Sequence, residues 1–89
     1  MAFEVRINAK AQAVLDRLHG SDSTSANQIE DVLDLLEQVP SACEHEPYPH
    51  ERGAAFLTQV LGTNWFVVWI YAPSEPGVVL VAKLEQLVV

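Results

Sequence analysis

Hydrophobic and polar positions alternate strictly at the start of the chain. In the stretch FEVRIN, Phe3, Val5 and Ile7 alternate with Glu4 and Arg6. A period of two residues is typical of a strand with one buried face and one solvated face. The sequence therefore predicts that the fold begins with a half-buried strand.

Two amphipathic helices are predicted after this strand. Asn8 is a suitable N-cap for the first helix, and Gly20 is expected to end it as a C-terminal cap. Ser25 and Gln28 match the capping box that begins a helix, and Pro40 ends the second helical run. Apolar residues recur at helical spacing in both segments, at Ala11, Val14, Leu15 and Leu18 and then at Ile29, Val32, Leu33, Leu36 and Val39.

Three further strands are predicted in the second half of the chain. AAFLTQVL turns at GTN into WFVVWIYA, and PSEPG leads into VVLVAKLEQL. In the last of these, strict alternation places Lys83 and Glu85 on one face, opposite a face formed by Val78, Leu80, Ala82 and Leu84. The order strand, helix, helix, strand, strand, strand predicts an α+β fold. We expect a helical hairpin packed on one face of a small, mostly antiparallel four-stranded sheet, in a single domain over residues 1–89.

The strand WFVVWIY is apolar on both faces. Trp65, Val67, Trp69 and Tyr71 lie on one side of it, and Phe66, Val68 and Ile70 lie on the other. One side faces the helices. The other is covered by chain that the pattern does not place, or it is a partner surface, because a small monomer rarely exposes so much apolar area. The candidate partner-binding residues are therefore Phe66, Val68 and Ile70, or Trp65 and Trp69 on the opposite face.

Composition narrows the class of protein. At 89 residues, with 49% hydrophobic and 19% charged residues, the chain is suited to one small folded domain. Twelve Asp and Glu residues against five Lys and Arg residues give a formal net charge of −7. Affinity for nucleic acid comes mainly from cations that displace counterions from phosphates, so a free-standing nucleic-acid binder is disfavoured.

No feature of the sequence indicates export or membrane insertion. The single cysteine cannot form an internal disulfide, and the first twenty residues mix charged and apolar positions, unlike a signal peptide. The longest apolar run, Trp65 to Pro73, is much shorter than the roughly 20 residues of a membrane helix. We therefore expect a cytoplasmic protein that does not associate with membranes.

Acidic residues follow one another along the outer face of the second helix. They are Glu30, Asp31, Asp34 and Glu37. Charged residues at this spacing are typical of a solvated helix face, and they are also compatible with an acidic binding surface. Both interpretations remain open at the level of the sequence.

The segment CEHEPYPHER, residues 43–52, contains the single cysteine of the chain and two of its three histidines. Cys43, His45 and His50 are potential zinc ligands, but their spacing matches no established zinc pattern, and we predict neither metal nor cofactor. His50 is a candidate base and Arg52 a candidate phosphate clamp, with Lys83 as a second cation. The alternative is a polar surface loop that connects the helices to the sheet.

Four marks of the chain occur together in one family of small proteins. They are a strand leading into a helix from Asn8 to Leu18, Pro40 after the second helix, a turn at Gly62 and an aromatic strand ending at Tyr71. With these marks, the stretches FEVRINAKAQAVLDRL, IEDVLDLLEQVP and LGTNWFVVWIYAPSEPGVVLVAKL resemble the RelE/ParE superfamily of bacterial toxins from type II toxin–antitoxin systems. The resemblance covers nearly the whole chain, and most of its marks reflect the fold.

The resemblance implies two possible activities. One branch of the superfamily cleaves messenger RNA in the ribosome and the other poisons DNA gyrase, and a cognate antitoxin holds both inactive. The RNA-cleaving branch uses basic residues on its last three strands, with a histidine or tyrosine near the C-terminus, as base, acid and charge stabilisers. Lys83 matches one basic position of that branch. At the other positions where the branch has a basic residue or a His-Arg pair, this chain has uncharged residues, namely Thr58 or Gln59, Phe66, Gln86 and Leu87.

Three hypotheses about function follow from this comparison. The first is a divergent toxin-fold protein that acts mainly through protein contact, with a cognate antitoxin or a second copy of itself as partner. The second is an active endoribonuclease that engages the ribosome and messenger RNA through His50, Arg52 and Lys83. The third is an interaction or ligand-binding module that shares only the fold.

Overall fold

The computed structural model describes residues 2–48 and 55–87. The elements are β1 (Glu4–Ile7), α1 (Ala9–Ser21), α2 (Ser23–Gln38), a 3-10 turn (Pro40–Ala42), β2 (Glu46–Tyr48), β3 (Ala55–Gln59), β4 (Trp65–Tyr71) and β5 (Val78–Gln86). The strands form one sheet in the order β1-β5-β4-β3-β2. Within these described ranges, neither helix has the length and hydrophobicity that a membrane crossing requires.

The sheet corrects the predicted architecture. The α+β class and the pair of helices after the first strand are as predicted, but the prediction of four strands is wrong: the described residues form a mixed sheet of five strands. β1 pairs with β5 in parallel, and the other pairings are antiparallel. The additional strand, β2, spans three residues centred on Pro47, so it is too short to produce a period-two pattern.

A single residue, Asp22, separates the two helices. Its backbone N–H donates to the carbonyl of Leu18, and its carboxylate accepts from both the backbone N–H and the hydroxyl of Ser25, at 3.2 and 2.7 Å. These bonds from Ser25 hold the pKa of Asp22 below its ordinary value. The predictions that Gly20 ends the first helix and that Ser25 and Gln28 begin the second are therefore wrong, because the carboxylate of Asp22 caps α2 one turn earlier.

Both helices pack against one face of the sheet and bury the main core there. Asn8 caps α1 as predicted, since its side chain accepts from the backbone N–H of Ala11 at 2.8 Å. The sheet contributes Val67, Trp69 and Val79, all 0% exposed. The helices contribute Ala11, Leu15, Leu18, Ala26, Ile29 and Leu36. The predicted alternation along β4 is confirmed, because Trp65, Val67 and Trp69 all belong to this helix-facing core.

A bulge in β5 reverses the predicted faces at its C-terminal end. The register pairs Val68 with Lys83 but Trp69 with Val81, so β5 contains one extra residue at this point. Leu84 therefore joins the helix-facing core, and Lys83 lies on the opposite face beside Val68. The prediction that Leu84 shares a face with the apolar residues two and four positions before it is wrong. One inserted residue turns every later side chain of the strand to the other face of the sheet.

Candidate functional site on the open face and beside the second helix

The face of the sheet away from the helices, called here the open face, carries a second small core. Val68 and Ile70 are 0% and 4% exposed, and the described residues that pack against them all come from strands. The side chains that pack against these two residues and Ala55 come from the neighbouring strands and are Tyr48, Leu57, Leu80 and Ala82. The second apolar face of β4 is therefore covered, at least in part, by the flanking strands of the same chain.

The candidate partner-binding residues differ in how far a partner can reach them. On the helix-facing side, Trp65 is 8% exposed and Trp69 is 0% exposed. On the open face, Val68 and Ile70 are buried and Phe66 is half-buried. Phe66 is thus the member of the set that remains accessible, and it lies opposite Glu85 on β5 and Gln59 on β3.

A lysine and a tyrosine meet on the open face. The ammonium nitrogen of Lys83 lies 5.1 Å from the centre of the Tyr48 ring, within cation–π range, and 3.5 Å from a carboxylate oxygen of Glu85. The pKa of Lys83 is raised, mainly by hydrogen bonding to the Tyr48 phenol and secondarily by the nearby Glu85. Lys83 therefore stays protonated at neutral pH, with a phenol beside it as a potential proton donor or acceptor.

The sequence did not indicate Tyr48 as a functional residue. It lies on β2, while Lys83 lies on β5, and two strands separate them in the sheet. No local pattern links these positions, so the pairing depends on the order of the strands. The other two predicted catalytic candidates, His50 and Arg52, lie outside the described residues.

Cys43 belongs to a buried polar cluster on the helix-facing side. Its thiol lies 3.7 Å from the hydroxyl oxygen of Thr58, which also accepts a hydrogen bond from the indole N–H of Trp69 at 2.9 Å. Burial raises the pKa of the Cys43 thiol, so it remains protonated and unreactive at neutral pH. Across residues 2–48 and 55–87, no three or more His, Cys, Asp and Glu side chains come together as a metal site would require.

His45 is held against the aromatic residues of the sheet. Its Nδ1 lies 2.6 Å from the carbonyl oxygen of Cys43, and because a carbonyl only accepts, Nδ1 carries the proton. The imidazole packs edge-on against Phe56 and Trp69, with ring centres 4.8 and 5.7 Å away. Trp69 in turn contacts Tyr71 edge-on at 5.4 Å. These rings pack against one another, which is the ordinary role of aromatic residues in a core.

A groove lies between α2 and the end of β3, and we call it the α2–β3 groove. It encloses about 330 Å³. Its lining residues are Gln28, Asp31, Val32 and Leu35 from α2, Ala42, Cys43 and Glu44 from the segment after it, and Thr58, Gln59 and Leu61 from the end of β3 and the following turn. None of these residues is a Lys or Arg. A signal was present in the sequence, because Leu35 is a large apolar residue outside the predicted apolar stripe.

A second cleft lies on the other side of the segment that leads into β2. It encloses about 540 Å³ and shares Ala42, Cys43, Glu44 and Gln59 with the α2–β3 groove. Leu57 and Phe66 give it an apolar floor on the open face. The segment from Ala42 to Glu44 thus forms a common wall between the open face and the surface beside α2.

Comparisons with known proteins show the fold. No protein-family model matches the chain, and no curated protein matches it significantly. Among solved structures, the chain is similar to a YoeB/ParE toxin from Agrobacterium tumefaciens, with a TM-score of 0.76 over 96% of this chain and 99% of that one. The sequences are 10% identical, so the likeness concerns the fold alone. The chain therefore shares the fold of this toxin, as the resemblance implied.

Proposed function

We propose that this chain is a divergent protein of a toxin–antitoxin type system that acts in the cytoplasm mainly through protein contact, with a cognate antitoxin as its partner. The observation that carries the proposal is a sheet with few cations in a chain that shares the fold of a toxin. Among the described residues of β2 to β5, Lys83 is the one Lys or Arg, and Glu85 lies 3.5 Å from it. A single cation that is already paired with an acid is a poor stabiliser for the developing charge of a phosphorane.

The charge of the whole chain supports a protein partner over a nucleic acid. A formal net charge of −7 opposes binding to RNA or DNA and favours association with a basic protein surface. Most of the apolar surface of β4 is buried by the chain itself, so the contact surface for such a partner is expected to lie elsewhere on the protein.

The proposal is tested by binding to the product of the adjoining gene. We expect that product to form a stable complex with the purified chain in size-exclusion chromatography with light scattering at about 0.15 M salt, where surface charges are partly screened. An unrelated basic DNA-binding protein of similar size serves as the charge control and is expected to elute separately. A chain that remains a monomer and binds neither neighbouring product contradicts the proposal, and a dimer without a partner supports self-association instead.

The pair formed by Lys83 and Tyr48 favours one alternative function, an RNA-cleaving activity in the ribosome. In that reaction the 2′-hydroxyl gives up its proton to a water molecule, its oxygen forms a bond to phosphorus, and the bond between phosphorus and the leaving 5′-oxygen breaks. Lys83 would stabilise the charge on the phosphorus oxygens, and the Tyr48 phenol would deliver a proton to the leaving oxygen. Tyr48 would thus stand in for the histidine or tyrosine that the RNA-cleaving branch has near its C-terminus.

Under this alternative, induced expression of the chain arrests bacterial growth. We expect Lys83→Ala and Tyr48→Phe each to relieve the arrest, with loss of messenger RNA cleavage of about 10²-fold or more, as for other charge stabilisers and acids. Lys10→Ala, an exposed lysine on α1, is the matched control and is expected to leave the arrest intact. Normal growth of cells that contain soluble wild-type protein excludes this activity.

A further inference from the structure

We infer that the α2–β3 groove binds a basic amphipathic segment of a partner protein, through one or two apolar side chains inserted between α2 and the turn after β3. The inference rests on the proposed function in that it assigns the contact surface for such a partner. It places that surface beside α2 and away from the apolar residues of β4 that the sequence indicated.

The lining of the groove includes two large, exposed apolar side chains, one from α2 and one from the turn after β3. Leu35 on α2 is 39% exposed, and Leu61 in the turn after β3 is 75% exposed. Half-buried Val32 and buried Cys43 and Thr58 also line the groove. At about 330 Å³ the space is at the small end of ligand pockets, which suits one or two inserted side chains and not a whole helix.

The rim of the groove is acidic on both sides. Asp31 lies on α2 and Glu44 lies on the segment that leads into β2, so a bound segment would meet a carboxylate on each wall. α2 itself carries four acidic residues and no Lys or Arg. A partner segment whose apolar residues are flanked by Lys or Arg fits both the apolar lining and the acidic rim of the groove.

Other occupants fit the groove less well. The acidic rim repels nucleic acid and anionic lipid surfaces. A second copy of this chain is disfavoured because two copies of charge −7 repel each other. In addition, two of the cations that the structure describes already have acidic partners, Arg6 with Glu4 and Glu75, and Lys83 with Glu85.

The test uses a labelled synthetic peptide of about 18 residues, with leucine at helical spacing and lysine elsewhere, and a second peptide with glutamate in place of lysine. Fluorescence anisotropy measures the binding of each peptide to the whole chain. We expect Leu35→Ser to weaken binding of the lysine peptide by about 10-fold, and Asp31→Asn by about 2- to 5-fold. The glutamate peptide is expected not to bind.

Two matched variants control for general changes in hydrophobicity and charge. Leu87→Ser changes another exposed leucine, and Asp34→Asn removes an acid from the same helix, outside the groove. Each is expected to change the affinity by less than about twofold. Equal losses in the groove and control variants, equal binding of both peptides, or self-association that Leu35→Ser abolishes would each overturn the inference.

The product of the adjoining gene separates this inference from the proposed function. If that product binds the wild type and Leu35→Ser with equal affinity, the groove is not its contact surface, although the proposed function stands. If no neighbouring product binds but the lysine peptide shows the expected pattern, the groove is supported and the proposed function fails.

Discussion

Leu36→Ala is expected to lower the free energy of unfolding by about 2–5 kcal/mol, the range for removing a fully buried leucine from a core. Leu36 is 0% exposed and packs within the helix-facing core. The loss is large for a small domain, whose total stability is typically about 5–15 kcal/mol. We therefore expect the variant to be partly unfolded at growth temperature.

Leu35→Ala is the matched control, because it removes the same atoms one residue away on the same helix. Leu35 is 39% exposed, so its truncation is expected to cost less than about 1 kcal/mol. Urea unfolding followed by tryptophan fluorescence measures both values, since Trp65 and Trp69 are buried in the native state. Similar losses for the two variants would show that the face of α2 that packs on the sheet is not the one that carries Leu36.

Thr58→Val is expected to destabilise the protein by about 1–3 kcal/mol, although valine and threonine have nearly the same shape. The hydroxyl of Thr58 accepts the indole N–H of Trp69 at 2.9 Å, and both residues are buried, at 3% and 0% exposure. Without that hydroxyl, the indole N–H is left in the core with no acceptor, and the cost is the desolvation of an unpaired donor.

A double-mutant cycle isolates this hydrogen bond from changes in packing. Trp69→Phe removes the donor, so Thr58→Val made in that background is expected to cost less than about 0.5 kcal/mol, giving a clear coupling between the two positions. Urea unfolding followed by circular dichroism is suitable here, because one variant loses a fluorophore. An equal cost of Thr58→Val in both backgrounds would show that the hydroxyl is not the acceptor of Trp69.

Local patterns predicted most of the elements of the fold. The helical spacing of apolar residues placed both helices, period-two alternation placed β1, and apolar runs bounded by turn residues placed the strands that became β3, β4 and β5. The capping pattern predicted the wrong start for α2, because another capping residue precedes it. Asp22 replaced Ser25 as the cap of α2, because a carboxylate one turn earlier accepts two hydrogen bonds from that serine.

The candidate site was less predictable than the fold. Lys83 was identified from the sequence, but its face was assigned wrongly, because the bulge in β5 depends on how that strand pairs with β4. Tyr48 reaches Lys83 only because β2 joins the sheet as its fifth strand. The acidic residues of α2 were recognised, yet the tertiary structure alone places Asp31 on the α2–β3 groove and leaves Asp34 outside its lining.

By itself, the sequence determined the α+β class, the helical pair, both apolar faces of β4 and the acidic charge that opposes nucleic-acid binding. These properties depend either on the spacing of residues close together in the chain or on a sum over all residues, so they do not require the tertiary structure. Only the tertiary structure decided the parallel pairing of β1 with β5, the cover over Val68, the partner of Lys83 and the groove beside α2. Each of these joins residues distant in the chain, and their contacts follow from the order and register of the strands.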